Sequence, residues 1–232
     1  MNCNVVILSL VILLSGCATQ GTNTFKYNPS TLLKIPNEIT VSKSYSEVWD
    51  GLVKELSKSF YVINNIDKES RIINLSFSSS SPSDFVDCGK SYRTYKQGDK
   101  LETYNYNVAG SAKFKVATEK QEHPSFVNYA IINRKPNLEG RSNIYIASEE
   151  HDKTRTSITV NTRYIVSVIV KGEAFAEHVN GNVFSRGQIP ENTTTVSFNT
   201  NQIGQVEVGN PEMLTCVSKG KLEKEVLEMV VR

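Results

Sequence analysis

The feature that most constrains the fold is a long stretch of strict alternation between residues 155 and 171. Every second position in it is apolar, aromatic or threonine, and most of the intervening residues are polar. The inward set is Ile158, Val160, Thr162, Tyr164, Val166, Val168 and Val170. A period of two residues places all of these side chains on one face of a β-strand. The stretch therefore predicts one long strand at the centre of a β-rich domain.

Two segments have helical periodicity instead, one early and one at the end of the chain. Ser44 and Glu47 have the spacing of a capping box, and apolar residues follow it at helical intervals, which predicts a helix over residues 46–59. Residues 221–231 repeat the pattern with Leu222, Val226 and Met229, and they predict a helix that ends the chain.

Further short alternating segments predict more strands. They cover residues 39–41, 61–66, 71–79, 142–148, 173–179, 193–199 and 205–208. A hairpin is predicted around Gly98-Asp99, with four tyrosines that we interpret as cross-strand aromatic pairs. A tyrosine-rich binding surface is the alternative interpretation of this hairpin. Residues 113–124 are polar and predict a loop or a short helix.

This order of elements predicts the α+β class. We expect a curved antiparallel sheet with the early helix and the C-terminal helix packed on one of its faces, an arrangement similar to the helix-grip fold. The elements fall between residues 38 and 232, a length that suits one β-rich domain.

The first residues of the chain have the pattern of an export signal. Residues 5–14 are almost entirely apolar, and a helix of this length reaches only about half of the way across a bilayer. Leu14-Ser15-Gly16-Cys17 follows, and it resembles the lipobox of bacterial lipoproteins, although no Lys or Arg precedes the apolar run. The resemblance implies a signal peptide over residues 1–16, cleavage before Cys17 and lipidation of Cys17.

The lipoprotein resemblance also implies a location. Residue 18 is Ala and not Asp, which in enterobacterial lipoproteins favours the outer membrane, so we expect a lipid anchor on its periplasmic face. Residues 17–37 are rich in Thr, Asn and Pro with scattered apolar residues, and they predict a lipidated flexible tether before the domain.

Two of the four cysteines remain after this processing. Cys88 and Cys216 lie 128 positions apart (216 − 88) in a chain expected to reach an oxidising compartment, which favours a disulfide between them. The alternative is a free thiol with a catalytic or metal-binding role. No histidine or second cysteine lies near either one in sequence.

The sequence offers few candidates for chemistry. Ser218 and Lys221 match the spacing of serine enzymes with a lysine base, but Ser before a helix is ordinarily a cap. The carboxylates of Asp84 and Asp87 supply too few oxygen ligands for a calcium site. Glu177 and His178 would lie on opposite faces of a strand and could not share a metal ion. We therefore expect that the chain has no catalytic, cofactor-binding or metal site and that it is not an enzyme. The net charge of +2 argues against a nucleic-acid surface.

Three segments add a second resemblance. Residues 63–70, 86–89 and 216–223 resemble segments of poorly characterised proteobacterial outer-membrane lipoproteins, and the order of elements is similar to accessory lipoproteins of the barrel-assembly machinery. The resemblance implies a non-enzymatic protein-interaction module of an envelope assembly or secretion complex, with an envelope protein as partner. The alternative is a periplasmic lipoprotein that binds a small molecule or lipid. A large apolar pocket between sheet and helix would favour the alternative.

Overall fold

The computed structural model describes residues 20–118, 123–209 and 212–231. It confirms the α+β class, with antiparallel sheets and two helices packed against them. The helices are α1 (Tyr45–Leu56) and α2 (Lys221–Val231). The strands are β1 (Thr22–Asn28), β2 (Glu38–Val41), β3 (Val62–Asp67), β4 (Ile72–Ser79), β5 (Val86–Asp87), β6 (Lys90–Gln97), β7 (Lys100–Asn107), β8 (Ala112–Ala117), β9 (Phe126–Ser148), β10 (Thr156–His178), β11 (Val183–Asn199), β12 (Gly204–Gly209) and β13 (Glu212–Ser218).

The long alternating stretch lies in β10, at the centre of the largest sheet. The order of strands in this sheet is β11-β10-β9-β4-β3, with β2 added beside the start of β10 and β8 beside the start of β9. Strands β9 and β10 pair along 23 residues each and form one long hairpin. The hairpin therefore has two halves with different neighbours, β4 and β2 at one end and β8 and β11 at the other.

Both helices cover the half of the sheet that contains β4. The capping box of α1 is formed as predicted: the side-chain oxygen of Ser44 accepts from the Glu47 N–H, and the Glu47 carboxylate accepts from the Ser44 N–H. The buried face of α1 comprises Val48, Trp49, Leu52 and Leu56. It packs with the apolar face of α2 on the inward residues of β4, β9 and β10, and together they form the main hydrophobic core.

The segment expected to be a flexible tether is folded over residues 20–37, and that prediction is wrong there. Strand β1 pairs with β6 along seven residues, and β6 pairs in turn with β7. Farther along, the Ile35 N–H donates to Asn201 Oδ1 at 2.7 Å, and Asn37 Nδ2 donates to the Val160 carbonyl at 3.2 Å. Most of these bonds use the backbone of the segment, and most of its side chains are polar, so no core periodicity extends along it to mark it as structured. Cys17 lies outside the described residues.

The disulfide between Cys88 and Cys216 is formed, and its two Cα atoms are 4.0 Å apart. Cys216 lies on β13, which pairs with β5 directly beside Cys88. The bridge therefore joins β13 to the residue that directly follows β5, in a third sheet ordered β12-β13-β5, and α2 begins five residues beyond Cys216.

Several other elements differ from their predictions in length or type. Residues 112–117 form strand β8 and not a loop or helix, because they pair with residues 129–134 of β9. The predicted strands at 155–171 and 173–179 are one strand, since pairing with β9 continues through Gly172. Helix α1 ends at Leu56, three residues before its predicted end.

Candidate functional site

A cavity of about 310 Å³ lies between the small sheet β1-β6-β7 and the half of the large sheet that the helices leave uncovered. Strand β8 forms the junction, because Phe114 stacks on Tyr106 of β7 with ring centroids 5.7 Å apart. The cavity is lined by side chains from β1, β6, β7, β8, β9, β10, β11 and β13. It is therefore a product of the packing of two sheets, not of a helix over a sheet.

Arg93 on β6 makes cation–π contacts with two aromatic rings of this cavity. Its guanidinium carbon lies 4.1 Å from the ring centroid of Phe25 and 4.8 Å from that of Phe114. Its Nε donates to the hydroxyl of Tyr106 at 3.0 Å. Two cation–π contacts and this hydrogen bond restrict the guanidinium group, and its remaining N–H groups have no carboxylate partner among the described residues.

Arg134 on β9 is the second arginine of the cavity, and it is only 9% exposed. Its Nη1 donates to the carbonyl of Gly110 at 3.1 Å and also to the carbonyl of Val108. Burial lowers the pKa of Arg134, and the nearby charge of Arg93 lowers it further. Two guanidinium groups therefore share one partly enclosed space, where a carboxylate would relieve their desolvation and repulsion.

Ser91 on β6 is the third polar group of the cavity. It is 2% exposed, and its hydroxyl has no hydrogen-bond partner among the described residues. A buried hydroxyl without a partner costs roughly 1–3 kcal/mol, so most such groups in folded proteins are paired. Tyr27 contrasts with it, because the Tyr27 hydroxyl donates to the Cys88 carbonyl at 2.9 Å and accepts from the Thr215 N–H at 3.0 Å.

The rest of the wall is mainly apolar. It comprises Val108, Ile132, Val168, Val170, Ile189, Pro190, Met213 and Leu214, with Asn192 and Thr194 as further polar members. Lys171, whose side chain is exposed, adds a third cation, and no Asp or Glu is among the described lining residues. The described part of the wall thus combines positively charged side chains with an apolar surface.

Three of the four tyrosines of the β6–β7 hairpin, Tyr95, Tyr104 and Tyr106, contact rings of the large sheet and not one another. Tyr95 is fully buried and packs edge-on against Tyr129, and Tyr104 lies beside Phe114. Among the described residues no aromatic pair joins two tyrosines of this hairpin, so the interpretation as cross-strand pairs is wrong. The rings face the larger sheet because Ser91, Arg93 and Tyr95 share the inward face of β6.

The residues weighed for chemistry from the sequence lie apart from the cavity. Ser218 accepts from the Gly220 N–H at 2.9 Å, so its hydroxyl bonds to the backbone ahead of α2, and the Lys221 amine lies 4.5 Å from the ring centroid of Phe85. Asp87 accepts from the Gly89 N–H at 2.9 Å, and His178 packs against Phe126. No group of three metal-ligating side chains occurs within the described ranges.

The cavity residues themselves were missed because the segment before Pro136 shows little periodicity. The sequence of β9 did contain one signal of a polar site. The inward positions Ala130, Ile132 and Leu138 are apolar, and Arg134 falls in the same register. A charged residue on the buried face of a strand is rare without a partner, so it marks a site.

Residues 20–118, 123–209 and 212–231 contain no helix with the length and hydropathy of a membrane span. Comparison of the chain with protein family models, with curated protein sequences and with solved structures finds no match.

Proposed function

We propose that this chain is a periplasmic lipoprotein, anchored in the outer membrane through Cys17, whose folded part binds a small molecule or a single lipid chain in the cavity between its two sheets. The observation that carries the proposal is the cavity itself. Its 310 Å³ lies at the lower end of the range for ligand sites, about 300–1,000 Å³, and most of its wall is apolar. At about 30 Å³ for each water-sized group, it holds roughly ten non-hydrogen atoms.

The anchor is tested by metabolic labelling of the full chain with an alkyne palmitate. We expect the wild type to carry the label and Cys17→Ser to lose it, because the thiol of Cys17 is the group that the lipobox resemblance assigns to acylation. Cys3→Ser is the matched control, since Cys3 belongs to the expected signal peptide. Persistent labelling of Cys17→Ser would contradict the assignment.

Binding is tested by photolabelling of the full chain in isolated envelopes. The probes are octanoate and 1-octanol, each with a diazirine at the end of its chain. We expect at least one of them to label peptides of β8 to β11, with competition by the unlabelled compound. Val170→Phe fills part of the cavity from a half-buried position and should lower this labelling several-fold, because the added ring occupies ligand volume.

Val62→Phe is the control for that experiment, because Val62 is 58% exposed on β3, outside the cavity. It should leave labelling unchanged. If neither probe gives labelling that the unlabelled compound competes away, the binding proposal is overturned.

A protein-interaction module is the second candidate function, with an envelope protein as partner. It is favoured by an apolar tip at the turn between β10 and β11, where Val179, Val183 and Phe184 are each about half exposed. An exposed apolar group of this kind is a common feature of protein-binding surfaces. Pull-down of the full chain from detergent-solubilised envelopes addresses this candidate.

A further inference from the structure

The cavity contains a feature that a purely apolar ligand would leave unused. Arg93, Arg134 and the exposed Lys171 bring three cationic side chains to its wall, and none of the described lining residues is acidic. Buried charges in proteins are normally paired or coordinated, because an unpaired charge loses its hydration without compensation. An anion in the cavity would supply the missing partner.

We propose that the ligand is a single-chain anionic amphiphile, whose anionic head contacts Arg93, Arg134 and Ser91 and whose aliphatic chain lies along Val168, Val170 and Ile189. This inference rests on the proposed binding function of the cavity. It names the chemical class that the site selects.

The geometry of the two arginines suits an oxyanion head. Arg93 donates through Nε to Tyr106, and its planar guanidinium group contacts the rings of Phe25 and Phe114, so these three contacts restrict the direction of its other N–H groups. Arg134 uses only Nη1 in its hydrogen bonds to backbone carbonyls. Paired N–H groups of a guanidinium fork match the two oxygens of a carboxylate or phosphate.

Ser91 provides an independent observation. Its hydroxyl is 2% exposed and has no partner, although it lies on the cavity wall and on the same face of β6 as Arg93. A head-group oxygen would complete its hydrogen bonding. An oxyanion would therefore serve both as an acceptor for the Ser91 hydroxyl and as a counter-ion for two guanidinium groups that have no carboxylate partner among the described residues.

The volume limits the size of this amphiphile. A diacyl phospholipid has about fifty non-hydrogen atoms, and at roughly 30 Å³ each these need several times the 310 Å³ that is present. Octanoate has ten such atoms and fits. The anionic head can be the carboxylate of a fatty acid or the phosphate of a single-chain lipid, and both present oxygens to the arginines.

The test compares three photoreactive probes of equal chain length on the full chain in envelopes: octanoate, octyl phosphate and 1-octanol. We expect half-maximal labelling at about tenfold lower concentration for an anionic probe than for the alcohol, as charge-assisted hydrogen bonds predict. The stronger of the two anions identifies the source of the head group. Equal labelling by all three would overturn the inference and leave the binding function in place, whereas no labelling by any of them would overturn both.

Two variants assign the effect to the proposed contacts. Arg93→Gln should remove most of the preference for anions, and Arg141→Gln, on the exposed face of β9, should not. Ser91→Ala should lower anionic labelling several-fold without lowering the melting temperature, because the hydroxyl makes no hydrogen bond in the free protein and its removal costs none. An unchanged preference in both Arg93→Gln and Ser91→Ala would place the head group elsewhere and contradict the inference.

Discussion

Replacement of Cys88 by serine should lower the free energy of unfolding by about 2–4 kcal/mol, the typical contribution of a disulfide. Both cysteines are buried, with at most 1% exposure, and the bridge closes a loop of 128 positions. On the chain-entropy model a loop of this length contributes about 4–5 kcal/mol, although measured values are often lower. Cys216→Ser should cost a similar amount, because either change opens the same loop.

The double variant should be no less stable than either single variant, since the pair acts as one unit. Urea unfolding monitored by fluorescence of the only tryptophan, Trp49, measures these differences. Wild-type protein unfolded in the presence of a reductant is the matched control and should behave like the double variant. A loss below about 0.5 kcal/mol in both single variants would show that the bridge contributes little to stability.

The disulfide is also connected to the cavity wall through Tyr27. The Tyr27 hydroxyl contacts the carbonyls of Cys88 and Thr215, on the two sides of the disulfide, while the Tyr27 ring lines the cavity. Loss of the bridge should therefore loosen β1 and weaken ligand binding along with stability.

The second large effect is expected for Tyr164→Phe, which should lower the free energy of unfolding by about 1.5–3 kcal/mol. The Tyr164 hydroxyl lies 2.8 and 3.0 Å from the two carboxyl oxygens of Glu223, and both side chains are fully buried. Burial raises the pKa of Tyr164, and the negative charge of Glu223 raises it further, so the phenol remains a donor. Phenylalanine removes this donor, and among the described residues Thr200 then remains as the side-chain donor to the Glu223 carboxylate.

Glu223 belongs to the first turn of α2, where the helix dipole also favours a negative charge. The hydrogen bond from Tyr164 on β10 thereby ties the terminal helix to the centre of the large sheet. Tyr145→Phe is the matched control, because Tyr145 is 45% exposed on β9, and its variant should stay within about 0.5 kcal/mol of the wild type. Equal stability of Tyr164→Phe and Tyr145→Phe would contradict a structural role for the buried pair.

The elements with strong local patterns could be predicted from the sequence. Helix α2 has its predicted bounds of 221 and 231, and Ser44 and Glu47 form their capping box, because both features depend on neighbours within a few residues. The alternation around Val166 predicted the central strand for the same reason. The disulfide followed from the count of cysteines left after the expected processing.

The position of β1 and the existence of the cavity depended on tertiary structure. The alternation of Phe25 and Tyr27 with polar residues is the main local strand signal in residues 22–28, and it is short because the strand depends on hydrogen bonds to β6, about seventy residues away along the chain. Arg93 and Arg134 are likewise separated by the whole of β7 and β8. The sequence by itself determined the α+β class, the helices and the bridge, because short-range periodicity and cysteine number encode them. Only the folded chain decided where the small sheet packs and which charges it encloses, because strand pairing and burial are set by residues distant in sequence.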